Sequence, residues 1–234
     1  MYKILNSTPI VLSDTSINVE DILIALNSTN DKLRSIAEFT RKLSLNIFKI
    51  LDLRTLSGVV GEIFVGEMAK NISSLKKNPS IDGYPDLVQC VTPEMNAYFD
   101  LYAKQDSKET FKYGGIEVKN TFGYKKPGED LFDGEQRIDR IKTPLEWKAH
   151  HQKTNNLLGL YSDYIDGYPT IIATFYSNKL VPEDWSVRQE PQGDSAMTSF
   201  STLLNSGYKK MLSGIICCLN DNQYLKFLGL GGVK

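Results

Sequence analysis

Histidine and cysteine are scarce in this chain, and their scarcity removes several chemistries at the outset. The two histidines, His150 and His151, are adjacent, so no histidine-rich zinc site can be built from them alone. Three cysteines are present, and two of them, Cys217 and Cys218, are neighbours. Adjacent cysteines do not make a C-x-x-C knuckle, and an odd number is a poor disulfide framework. A reducing, cytoplasmic setting is the expectation. No apolar run approaches the roughly 20 residues that span a bilayer, and the opening residues lack the apolar stretch of a secretory signal. Net charge is nearly absent as well, at -1. A protein that coats nucleic acid without selectivity is normally basic, so that class is disfavoured. A near-neutral total still accommodates a basic cleft whose charge is cancelled by acidic metal ligands. No internal repeat and no low-complexity segment is present.

What remains is an ordinary apolar and charged composition over 234 residues, enough for one large α/β domain to bury a core without disulfides or structural metal. The first third reads as helical. Glu20 and Asp21 precede Ile22–Leu26, acidic residues in a first turn. Asn30-Asp31 is a candidate cap for a second helix through Leu33, Ile36, Phe39, Leu43, Ile47 and Leu51, spaced by three and four. Leu56 to Ala69 reads as a third helix. The character changes near Pro79, where Asp82, Gly83 and Pro85 mark a turn before a strand at Leu87–Val91. Further strands are expected at Ile116–Lys119, Leu157–Tyr164, Thr170–Tyr176, Ile215–Leu219 and Tyr224–Leu228, with a helix from Ser199 to Met211. Helices, then a mixed sheet, then helix and strands imply an α/β or α+β domain. The reading is a single domain over 1–234, with a helical part at 1–55, a core at 56–176 and a C-terminal part at 177–234.

Two short strings carry the chemistry. In Gly83-Tyr84-Pro85-Asp86-Leu87-Val88 an aspartate stands at the mouth of an apolar strand. In Gly114-Gly115-Ile116-Glu117-Val118-Lys119, strand alternation puts Glu117 and Lys119 on one face and Ile116 and Val118 on the other. The apolar pair can pack into a core while the charged pair projects over the sheet. Phosphodiester hydrolysis needs that combination. Magnesium takes hard oxygen ligands, one or two of them protein carboxylates, and a neighbouring lysine orients or deprotonates water and neutralises the transition state. The Val118 carbonyl is a further candidate oxygen. Glycines before the second strand let a phosphate backbone come close. Read separately, each string is compatible with a loop aspartate and a solvated strand pair.

Pro85-Asp86 followed, 31 residues after the aspartate, by Glu117-Val118-Lys119 resembles the PD-(D/E)xK nuclease superfamily, which includes most type II restriction endonucleases. The resemblance covers roughly residues 56 to 176. It implies a central mixed β-sheet flanked by helices, metal binding by Asp86 and Glu117, and a catalytic role for Lys119. It also directs attention to Glu62, because many members carry a glutamate on a helix beside the catalytic sheet. Glu62 lies in an otherwise apolar stretch, where a carboxylate is costly to bury unless paired or metal-bound. The alternative is a place on the exposed stripe of that helix, and Glu67 is the weaker candidate.

DNA contacts are expected from two segments. Lys125, Lys126, Arg137 and Arg140 lie in a charged loop with Phe122 and Tyr124, suited to phosphates. Arg188, Gln189, Thr198, Ser199 and Asn205 belong to a polar stretch able to pair with base edges. The functional expectation is a magnesium-dependent type II restriction endonuclease acting on double-stranded DNA as a homodimer, since palindromic sites match two-fold symmetry. The rivals are a structure-specific repair or junction-resolving nuclease of the same superfamily and a non-enzymatic DNA-binding protein.

Overall fold

The structure is a computed structural model, and it describes residues 1–80, 83–105, 110–122, 145–149, 154–187 and 199–230. In chain order it contains β1 (Tyr2–Ile4), β2 (Ile10–Val11), β3 (Ser16–Ile17), α1 (Val19–Lys42), α2 (Ile47–Ile50), α3 (Leu53–Asn71), β4 (Leu75–Lys77), β5 (Leu87–Gln89), α4 (Pro93–Lys104), β6 (Gly115–Thr121) and β7 (Lys148–Ala149). There follow β8 (Leu157–Ile165), β9 (Tyr168–Ser177), a 3-10 turn at Pro182–Asp184, β10 (Ser201–Thr202), α5 (Asn205–Ser213), β11 (Ile215–Leu219) and α6 (Asn222–Phe227).

Seven strands form one mixed sheet in the order β1-β11-β9-β8-β6-β5-β4. All neighbours are antiparallel except β6 and β8, which run parallel. The protein is therefore a mixed α/β fold with helices on both faces of a central sheet. One face carries Leu87, Ile116, Val118, Leu158 and Leu160, and it is covered by α1 and α3 through Ile22, Leu26, Leu33, Val60 and Phe64. The opposite face carries two separate apolar clusters. Leu157, Tyr161 and Phe175 pack with Trp147, Tyr208, Met211 and Tyr224 over β8, β9 and β11. Val88 packs with Tyr102 and Phe111 over β5.

The N-terminal half is helical for the expected reasons, with shifted boundaries. The first two expected helices are one, α1, whose first turn holds Glu20 and Asp21 and whose last holds Arg41 and Lys42, both favourable to the helix dipole. It stops at Leu43, and Ser44 takes a left-handed φ of 57°. Phe39 and Leu43, expected on the buried stripe, are each 63% exposed. Asp52 caps α3 by accepting hydrogen bonds from Arg54 and Thr55 backbone N–H groups at 2.9 and 3.0 Å.

Two expectations at the C-terminal end do not hold. Tyr224–Leu228 is not a strand: Asp221 accepts from the N–H groups of Gln223 and Tyr224 and opens helix α6. The stretch from Ser199 is not helical at its start, because Ser201 and Thr202 pair with Ala149 and Lys148, and α5 begins only at Asn205. The C-terminal part, 177–234, contributes β11 to the same sheet, between β9 and β1.

Candidate active site

The central strand β6 carries its charged side chains on one face only. Gly115, Glu117, Lys119 and Thr121 alternate toward the face that also bears Val88 on β5 and Leu157 and Tyr161 on β8. This strip lies between the two apolar clusters of that face. Its entry is tightly fitted. Gly114 has φ +67°, and a Cβ on Gly115 would stand 1.8 Å from the Leu87 carbonyl oxygen, so a side chain there is incompatible with the β5–β6 pairing.

Asp86 is brought to this strip by a braced loop. Asn78, buried at the end of β4, donates from its backbone N–H to the Asp86 carbonyl at 2.9 Å and from its side-chain amide to the Pro85 carbonyl at 2.9 Å. The Tyr84–Pro85 peptide is cis. Asp86 Oδ2 then accepts from the Val118 backbone N–H at 2.8 Å and from Lys119 Nζ at 3.1 Å. Lys119 Nζ also lies 2.7 Å from Glu117 Oε1, and the Asp86 backbone N–H donates to Glu117 Oε2 at 3.2 Å. The three side chains thus form one closed cluster, with the ammonium bridging two carboxylates.

Burial sets the electrostatics. The Glu117 side chain is 5% exposed, against 22% for Lys119 and 26% for Asp86. Burial pushes the Glu117 carboxyl up; the Lys119 charge opposes this and the Asp86 charge adds to it, leaving Glu117 at about 7. For Lys119, burial works to lower the ammonium, but the charges of Asp86 and Glu117 and their hydrogen bonds outweigh it, so Lys119 ends above the ordinary lysine range. Two carboxylates and one ammonium leave the cluster short of positive charge.

The donor set suits a hard divalent cation. It offers two carboxylates and, at Val118, a carbonyl on the Asp86 side, because the N–H and C=O of one strand residue point to the same edge and the Val118 N–H already bonds Asp86. Among the described residues no group of three or more Asp, Glu, His or Cys side chains gathers anywhere. Magnesium needs only one or two protein carboxylates and keeps several waters, so the pair is sufficient in type and number.

Glu62 is not part of the cluster. It sits on α3, which covers the Ile116 and Val118 face, opposite to Glu117 and Lys119. Its side chain is 62% exposed and is paired with Lys77. The costly burial that motivated it does not occur. Glu67 is the buried glutamate of α3, and it is neutralised within the helical layer by Lys32 and Ser28.

Of the expected DNA contacts, Lys125, Lys126, Arg137, Arg140, Arg188, Gln189 and Thr198 lie outside the described residues, as do His150 and His151. Ser199 is buried, at 7% exposure, which is unsuited to reading a base edge. Asn205 is exposed as the first residue of α5.

Two residues near the site had no role in the sequence reading. Tyr84 is hydrogen-bonded to Thr154, and its phenol is pushed up by burial and then by the Glu117 charge, which puts its ring beside the cluster. Asn78 braces the Asp86 loop. Tyr84 adjoins the Pro-Asp string, a usable signal, whereas nothing local marks Asn78. Comparison with protein-family models, curated proteins and solved structures finds no match to this chain.

Proposed function

We propose that this protein is a magnesium-dependent endonuclease of the PD-(D/E)xK type, hydrolysing phosphodiester bonds of double-stranded DNA as a type II restriction enzyme. The observation that carries the reading is the bridged cluster: Lys119 Nζ reaches both Glu117 Oε1 at 2.7 Å and Asp86 Oδ2 at 3.1 Å, although 31 residues separate the two acids. The restriction-endonuclease-like fold, the homodimer and the cytoplasmic setting belong to the same proposal. No described helix is long and apolar enough to cross a membrane.

Asp86, Glu117 and the Val118 carbonyl are the groups that would hold the metal. Magnesium bound there supplies Lewis-acid polarisation of the phosphate, a lower pKa for water and stabilisation of the leaving oxygen. Lys119 does its work as an ammonium, because its carboxylate neighbours keep it protonated at neutral pH. It orients the attacking water by hydrogen bonding and offsets charge that builds on the phosphoryl oxygens. Asp86 fixes Lys119 from one side and ties itself to the β6 backbone from the other, so the cluster is preorganised by the sheet. The test is digestion of unmodified plasmid with magnesium, followed by sequencing of the ends. Discrete fragments with uniform ends are expected; intact plasmid, or cutting confined to branched or damaged substrates, overturns the restriction reading.

A further inference from the structure

We infer that β4, α4 and the segment entering β6 form a phosphate-contacting wall for duplex DNA beside the candidate active site, with Lys76 on β4 and Lys112 before β6 as its contacts. The inference rests on the nuclease reading for the identity of the polymer. It concerns residues to which the sequence pattern assigned no role.

Position comes first. Lys76 is paired with Val88 and Val88 with Gly115, so the side chains of Lys76 and Val88 point to the face that bears Glu117 and Lys119. On that face α4 packs against β5 through the cluster of Val88, Tyr102 and Phe111. Lys112 lies five residues before Glu117, at the approach to the Gly114-Gly115 turn. The two cations therefore lie on the α4 side of the strip that bears Glu117 and Lys119.

Their chemistry is the second observation. Lys76 Nζ stands 4.6 Å from the Phe99 ring centroid. Lys112 Nζ stands 4.9 Å from the Tyr113 ring and 5.8 Å from the Tyr98 ring. Contacts of this kind fix an ammonium in place without neutralising it. Elsewhere Lys32, Lys77, Lys119 and Lys210 each have a carboxylate partner. Among the described residues Lys76 and Lys112 have none. Glu94, the acid beside Lys112, accepts instead from the Tyr113 hydroxyl at 2.7 Å, while Lys112 reaches that hydroxyl at 3.4 Å. Two held, unpaired cations on the face of a phosphodiester site fit an anionic polymer.

The rings decide which part of that polymer is touched. Tyr98 packs edge-on to Phe111 at 5.1 Å and to Tyr113 at 5.4 Å, and Tyr102 packs edge-on to Phe111 at 5.3 Å. Phe111 and Tyr102 are buried. Rings committed to one another are not free platforms for unstacked bases. The wall offers cations, so it contacts phosphates and is indifferent to sequence.

The experiment uses the full chain in calcium, with a random-sequence duplex oligonucleotide titrated at several salt concentrations. Each lysine–phosphate contact contributes about 0.9 to the slope of log affinity against log salt. The Lys76→Gln, Lys112→Gln double variant should therefore flatten the slope by about two. A Lys42→Gln, Lys49→Gln variant should leave it unchanged: Lys42 is the exposed last residue of α1, beside Arg41, which bonds the Asp166–Gly167 turn, and Lys49 is exposed on α2. A slope that is equal in the two double variants overturns the wall. So does a loss seen only with a single-stranded probe. Wild-type cleavage with magnesium is measured in parallel. Lysine-dependent binding without any cleavage overturns the nuclease reading and leaves the wall standing; cleavage with an unaltered slope overturns the wall alone.

Discussion

Glu117 combines near-complete burial with a second carboxylate at hydrogen-bonding range of the same ammonium. An acid whose pKa rises on folding holds its proton more tightly in the native state. Its contribution to stability is full below the unfolded value of 4.5 and is lost as pH rises to about 7. In metal-free protein, the wild type should thus lose stability from this group as pH rises from 4.5 to 7. Glu117→Gln, which has no proton to lose, should close that gap: more stable than wild type at pH 8, with the advantage gone at pH 4.5. Urea denaturation in EDTA at the two pH values reads it. A difference independent of pH would contradict the account of this carboxyl. Glu62 makes the contrasting case. Its pairing with Lys77 is exposed and worth at most about 1 kcal/mol. Glu62→Gln should leave both stability and the magnesium needed for half-maximal cleavage unchanged. A raised magnesium requirement would return Glu62 to the site.

At the scale of elements, the pairing of β5 with β6 is what delivers Asp86 to Glu117. Gly115→Ala should break it, because the new Cβ would overlap the Leu87 carbonyl; a loss of at least about 2 kcal/mol is expected, with slower cleavage. Gly58→Ala is the matched control. It lies inside α3 with nothing within 4 Å of its would-be Cβ, and should stabilise by up to about 1 kcal/mol. Equal effects in denaturant titrations would contradict the close approach at Gly115. The same strand was the most legible feature of the sequence, since Ile116 and Val118 against Glu117 and Lys119 is a period-two pattern with one buried face. Helix α4 was missed although Thr92 accepts from the Met95 N–H and Pro93 occupies the first helical turn. Those cap residues are a local signal of the helix start. β4 was missed for a physical reason: Leu75–Lys77 has one buried side chain, and only its partner β5 makes it a strand. Tyr224–Leu228 has strand-like composition, and a single cap at Asp221 turns it into a helix. Glu62 lies apart from the cluster, and its apolar neighbourhood in sequence did not say which side of α3 it occupies.

For the molecule as a whole, the sheet divides labour between its faces. Helices α1 and α3 cover one face, while the other carries an apolar cluster on each side of the polar β6 strip. Under the proposed function, that layout would let a chain of net charge -1 serve a polyanion: the acids would hold the metal and cations would line the approach. The pairing of the Asp86 loop with β6 could be read from two short strings, but the place of the strip between two clusters could not, because it depends on α4 and on the cluster over β8 and β9, which are distant in sequence. The most direct measurement is cleavage of supercoiled plasmid by wild type and Lys119→Ala side by side, with duplex binding measured in calcium. The account predicts magnesium-dependent cutting by wild type, loss of rate in the variant on the order of a thousandfold, and binding that survives. A variant that cuts at close to the wild-type rate, or a wild type inert with magnesium, would contradict the assignment of Asp86, Glu117 and Lys119.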